Sequence, residues 1–190
     1  FNLNSLAFIP ILGIGTAVMT IVGQRVGDGR PHLAVRSTWL AFGLSSVYML
    51  AFAAVYLFLP ELILAPYAMN GPPAEFARIS ETVVALLQFV ALYSFFDGMA
   101  IVFGYAVRGA GDTRFSMIFS FLCGWLLMVL PTAIAWIVLG GDLWISWWAC
   151  TLYIVVVGCG FLIRFQAGRW KSMRVIEPEP EPVLAPATGV

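Results

Sequence analysis

Asp97 stands alone among the apolar residues 82–107, eleven positions before Arg108. On a helix rising 1.5 Å per residue that separation is roughly 16 Å, about half the thickness of a bilayer's hydrocarbon layer. A carboxylate at that depth is costly to hold, so such groups tend to face a cavity and to mark ion or proton paths. The matching chemistry is reversible cation binding, in which a proton or Na⁺ is exchanged for a cationic substrate. Tyr93 and Ser94, four and three residues earlier, share its helix face and are placed to donate to it. The other reading of Asp97 is a protonated structural residue bonded to a neighbouring helix. No second intramembrane carboxylate, Ser–His pair or metal-ligand spacing accompanies it, so the only metal expected is Na⁺ at Asp97 itself. That inventory argues against an enzyme, and no cofactor beyond the coupling ion is implied.

A second set of residues bears on movement. Pro10, Gly13 and Gly15, followed by Thr16 and Ala17, weaken a helix and also let a neighbour approach closely. They are consistent with a helix that flexes and equally with tight packing. Pro131 predicts a kink. Arg108 to Arg114 reads as a short turn in which glycines permit the reversal and Asp112 or Thr113 caps the next helix. It lacks the Gly-Lys-Ser/Thr ending of a nucleotide loop. Gly23, Gln24, Gly27 and Gly29 read as a similar helix end and tight loop. Cys123, Cys150 and Cys159 lie within apolar stretches and read as small core residues, and His32 as a solvated loop residue.

The elements that carry these residues are set by the solvent. The chain has 190 residues, 61% of them apolar and 11% charged, with a mean hydropathy of +0.93. Soluble domains run at about 45–50% apolar and roughly 25% charged. Ten Lys and Arg balance ten Asp and Glu, which leaves no basic excess for nucleic acid. Five stretches are long enough to span a membrane as helices: residues 1–24, 37–60, 82–107, 115–141 and 143–163. The fold class expected is therefore an all-α membrane bundle of about five transmembrane helices.

Loop charges orient it. Arg25, Arg30 and Arg36 follow the first stretch, Arg108 and Arg114 the third, and Arg164, Arg169, Lys171 and Arg174 the fifth. Since cytoplasmic loops collect Lys and Arg, these ends face inward and the C-terminus is cytoplasmic, in a cell (inner or plasma) membrane. Trp144, Trp147 and Trp148 are expected at the outer boundary, with Trp39 and Trp170 flanking inner ones. Residues 62–80, with Pro66, Gly71, Pro72 and Pro73, are expected to lie irregularly in the outer interface. Residues 1–174 form the membrane part, and residues 175–190, with acid alternating with proline, a disordered cytoplasmic tail. The chain opens on Phe1 without a Met, and its first span must begin outside. Both features suggest the C-terminal part of a larger protein.

The motif order resembles the multidrug and toxic compound extrusion (MATE) family. The resemblance runs through Phe8-Ile9-Pro10, residues 13–17, Val22-Gly23-Gln24 with Gly27, Ala91-Leu92-Tyr93 leading to Asp97, and Arg108-Gly109-Ala110-Gly111-Asp112-Thr113. It covers residues 1 to about 170. It implies the C-terminal half of a twelve-helix, two-lobe antiporter, lacking the first helix of its lobe. Such a protein expels small organic cations and drugs while Na⁺ or H⁺ enters, with Asp97 matching the cation-binding carboxylate of the tenth helix. The implied partners are membrane lipids and the absent N-terminal lobe. Two alternatives stand beside it. A lipid-linked saccharide flippase shares related architecture but needs basic cavity residues, and no Lys or Arg lies inside any of the five stretches. A non-transporting scaffold subunit leaves Asp97 as helix glue.

Overall fold

The five apolar stretches form five long helices in the computed structural model. It describes the backbone of residues 2–59, 73–138, 140–141 and 143–172 and the side chains of 8–59, 82–138, 140–141 and 143–171. The helices are α1 (Asn2–Gly27), α2 (Pro31–Phe58), α3 (Pro73–Gly109), α4 (Thr113–Val138) and α5 (Leu143–Gln166), followed by a short 3₁₀ turn, Arg169–Ser172. Each carries an apolar run of 20 residues or more, enough to cross the ~30 Å hydrocarbon layer. No strand occurs among the described residues. Phe1, residues 60–72 and the acidic-proline tail lie outside the described residues.

The helix ends correct two expectations. Residues 73–80 are not irregular but form the opening turns of α3, which is 37 residues long and begins at Pro73. Proline suits a first helical turn, where its missing N–H would have had no partner, and Pro31 opens α2 in the same way. The fourth stretch stops at Val138 instead of reaching Gly141. Gly140 and Gly141 take φ of +75° and +84°, and the Gly141 N–H folds back onto the Ala135 carbonyl at 3.2 Å.

Pro131 acts on the turn before it. Residues Gly124–Val129 form a π turn inside α4, and the Leu130 N–H donates to the carbonyl of Trp125, five residues back. A proline cannot donate to the carbonyl four residues earlier and its ring crowds that group. Widening the preceding turn by one residue relieves both problems.

α3 is the central helix and packs on α1, α2 and α5. In its most apolar window 44% of the residues are buried, against 11% for α4, which leans on α5 at the rim of the bundle. Much of the apolar surface faces outward, Leu40, Leu44 and Val47 on α2 and Met117 and Phe121 on α4 among it, as a bundle solvated by lipid requires.

The densest packing lies at the Gly109 end of α3. Val102, Phe103, Ala106 and Val107 meet Val18 and Val22 of α1, Ala34 of α2, and Phe161 and Phe165 of α5. An aromatic chain crosses this core: Trp39 edge-on to Phe103, Phe103 against Phe165, and Phe165 stacked on Trp170 at 5.0 Å. Trp170, just past the end of the fifth span, packs inward. It is fully buried, and its indole N–H donates to the Phe165 carbonyl at 2.8 Å. Gly168, with φ of +69°, turns the chain back so that this contact forms.

Glycines set the helix separations. A Cβ on Gly109 would run into the Met19 carbonyl oxygen of α1, and one on Gly158 would stand 2.6 Å from the Phe96 carbonyl oxygen of α3. Gly13 meets nothing within 4 Å. Backbone cannot give way as a side-chain tip can, so Gly109→Ala should cost roughly 1–3 kcal/mol. Gly13→Ala should be neutral or slightly stabilising, because alanine forms helix better by about 0.5–1 kcal/mol. Thermal melts of the intact protein in detergent should show a clear loss for the first and none for the second. Equal melting temperatures would sink this account of the α1–α3 contact.

Candidate functional site

Asp97 lies near the middle of the apolar part of α3, Thr82–Gly109. It is half-buried and lines a cleft of about 150 Å³ between α3, α4 and α5. α3 contributes Asp97, Ala100, Ile101, Tyr105 and Arg108; α4 contributes Ser120; α5 contributes Tyr153, Ile154, Val157 and Phe161. The α3 residues fall on one stripe because eleven residues turn a helix to within about 20° of three full turns. The volume admits several waters. Among the described residues, none donates a hydrogen bond or an ion pair to the Asp97 carboxylate. A carboxylate facing such a space can take up a proton or a small cation and release it again, because no competing donor holds it.

Neither of the two residues expected to support Asp97 donates a hydrogen bond to it. Ser94 is buried and its hydroxyl donates to the Val90 carbonyl of its own helix. Tyr93 packs in a separate cluster with Ala53, Tyr56, Val90 and Ala91. Neither lines the cleft. Helix spacing put them within a turn of Asp97, but a helical serine in an apolar setting satisfies its hydroxyl most readily on the carbonyl four residues back.

The residues expected to flex divide. A Cβ on Gly15 would stand 3.0 Å from Ile101 and 3.1 Å from the Tyr105 ring, so this glycine lets α1 rest against two cleft residues. Gly13 makes no such contact, and α1 runs as continuous helix through Pro10. Pro131 follows the π turn, whose first residue, Gly124, faces the Tyr153 ring of the cleft wall.

Arg108 is the cleft residue the sequence reading did not take up. Its guanidinium carbon lies 5.1 Å from the centre of the Tyr105 ring and 6.0 Å from that of Phe161. The expectation of spans without a cation is corrected here, because α3 continues as helix to Gly109 and carries Arg108 into the cleft wall. Its signal was the position eleven residues from Asp97, on the same helix face.

Beneath the cleft, the turn from α3 to α4 closes with Gly111 at φ +93°, the Asp112 N–H donating to the Val107 carbonyl and the Gly111 N–H to that of Arg108. Asp112 does not cap α4 with its side chain. Its Oδ2 accepts from Nε and Nη2 of Arg164, each at 2.7 Å, and only 5% of the Asp112 side chain is exposed. The Arg164 guanidinium also covers the Phe115 ring at 4.5 Å. Arg164 is thus not a free charge beyond the fifth span but a tie between α5 and the α3–α4 turn.

The MatE family model matches residues 1–134. A protein of Pseudomonas putida named as a probable multidrug resistance protein NorM is 28% identical over 172 residues, covering 90% of this chain and 36% of that protein. A protein of the same name from Deinococcus radiodurans is 30% identical over 166 residues, covering 85% of this chain and 37% of the relative. The one from Thermotoga maritima is 27% identical over 188 residues, covering 94% and 37%. The chain thus spans little more than a third of the length of these relatives.

The Asp112–Arg164 tie sets a stability expectation. Arg164→Met strands a carboxylate with little access to water, at a cost on the order of 3 kcal/mol. Adding Asp112→Asn removes the stranded charge and should recover much of that loss. Melts of the intact protein and of the three variants test this. A double variant as damaged as the sum of the singles would refute the coupling.

Proposed function

The chain belongs to the MatE family, and from that premise we propose that it is the C-terminal lobe of a cation-coupled antiporter that exports small organic cations and drugs. Its coupling site is Asp97, where Na⁺ or H⁺ binds in exchange for cargo. The family and the relatives named for multidrug resistance support the efflux reading. The observation that carries the choice of Asp97 is its position at mid-helix, lining a cleft that admits several waters, without a donor among the described residues. A structural aspartate serving as helix glue would be expected to hold a partner, and among the described residues this one holds none, which counts against the scaffold reading.

In this proposal the five helices form a multi-pass membrane unit whose α3–α4 turn and C-terminus face the cytoplasm, as the Arg and Lys of its loops favour. The rest of the cargo cavity comes from the N-terminal lobe, and lipid covers the outward apolar faces. The cleft is too small for a drug-sized ligand, whose pockets run to about 300–1,000 Å³. It suits the coupling ion, with cargo accommodated between the lobes.

One observation favours a second reading. Arg108 supplies the cleft with a cation, which a carrier of lipid-linked pyrophosphates would use. A single guanidinium in a cleft that also holds an unpaired carboxylate is nevertheless a poor seat for a group carrying several negative charges.

In the full-length protein Asp97→Asn should reduce dye efflux from cells to the level of cells lacking the transporter, with surface expression unchanged. Efflux at the wild-type rate would remove Asp97 from the mechanism.

A further inference from the structure

Arg108 occupies the end of the cleft nearest the α3–α4 turn, while Asp97 stands roughly 16 Å away along the same face of α3. Its guanidinium does not extend past the end of the helix. Nη2 lies 3.5 Å from the point where a Cβ on Gly104 would stand, so the group folds back over that glycine, one turn toward Asp97. Tyr105 and Phe161 hold it there from two sides. No carboxylate among the described residues pairs with it. Asp112, the acid nearest in sequence, is already engaged by Arg164. Among the described residues the cleft therefore has a positive charge without a paired acid at one end and a carboxylate further in.

We propose that Arg108 is a selectivity residue: a fixed charge that closes the turn-side end of the cleft to cations, so that an ion held at Asp97 cannot pass along α3 without cargo exchange. The assignment rests on the coupling-site reading of Asp97. The physical basis is simple. A cation entering the cleft is drawn to Asp97, and one continuing toward Gly109 meets a guanidinium that aromatic faces pin in its path. A mobile lysine at a solvated surface would be screened within a Debye length, whereas a charge in a narrow cleft walled by Ile154, Val157 and Phe161 is screened far less.

The test is ion flux in proteoliposomes containing the full-length protein without cargo, with a Na⁺- or pH-sensitive dye inside. Arg108→Gln should raise cargo-independent leak about tenfold or more, the scale expected when a unit charge is removed at close range in a medium of intermediate dielectric. Arg108→Met, which keeps an unbranched stem against Tyr105 and Phe161, should leak equally and serves if the glutamine variant does not fold. Arg108→Lys should stay near wild type. Adding Asp97→Asn to either neutral variant should abolish the leak. Wild-type leak in both neutral variants overturns the proposal, and so does a lysine variant as leaky as the neutral ones, because packing and not charge would then be responsible. Leak that survives Asp97→Asn also overturns it. Loss of cargo efflux in the single Asp97 variant, measured alongside, keeps the coupling-site reading separate from the role of Arg108.

Discussion

An acid in hydrocarbon must find a donor, meet a cation or give up its charge, and Asp97 is under that constraint midway along α3. The arrangement of the other helices answers it. α3 cannot turn the carboxylate to lipid, so it is the helix enclosed by α1, α2 and α5. α4 and α5 do not close completely over it, and the space they leave is the cleft. Several hydroxyls elsewhere in the bundle are bonded within their own helices, Thr38 to Ala34, Ser116 to Asp112 and Thr151 to Trp147 among them, while those of Ser45, Ser46 and Tyr56 are buried without a partner among the described residues. Among the described residues none donates to the Asp97 carboxylate, which lines the cleft instead.

Close approach of the helices comes from missing side chains more than from apolar attraction, since lipid is as apolar as the helices themselves. Gly109 sits against the Met19 backbone, Gly158 against the Phe96 carbonyl, and Gly15 against Ile101 and Tyr105. These contacts concentrate packing around the Gly109 end, where the aromatic chain from Trp39 to Trp170 fills the remaining volume. The cleft therefore opens above a dense base, and the residues that line it are held in register by that base.

Charge follows the same division. The Asp112–Arg164 tie neutralises itself within the base and joins α5 to the α3–α4 turn. Arg108, four residues before Asp112, has no acid partner among the described residues and faces the cleft. Opposite charges thus line a single space without touching, one from the middle of α3 and one from its end.

Composition and run length alone determined the class of this protein. Five long apolar stretches, continuous instead of alternating, in a chain that is 61% apolar form membrane-crossing helices, because lipid offers no partner for an unpaired backbone. The lone carboxylate in the third stretch was legible for the same reason. Local spacing was less informative about partners. It placed Tyr93 and Ser94 within a turn of Asp97, yet Ser94 bonds to Val90 and Tyr93 packs against Ala53 and Tyr56. It offered Asp112 as a cap, where its side chain meets Arg164, fifty-two residues away, and it did not show that Trp170 is buried on Phe165. Helix periodicity says which residues of a helix share a face, but not which helix that face meets. That choice is made by the glycine contacts between helices, so the cleft, the tie beneath it and the position of Arg108 were decided only by the tertiary fold.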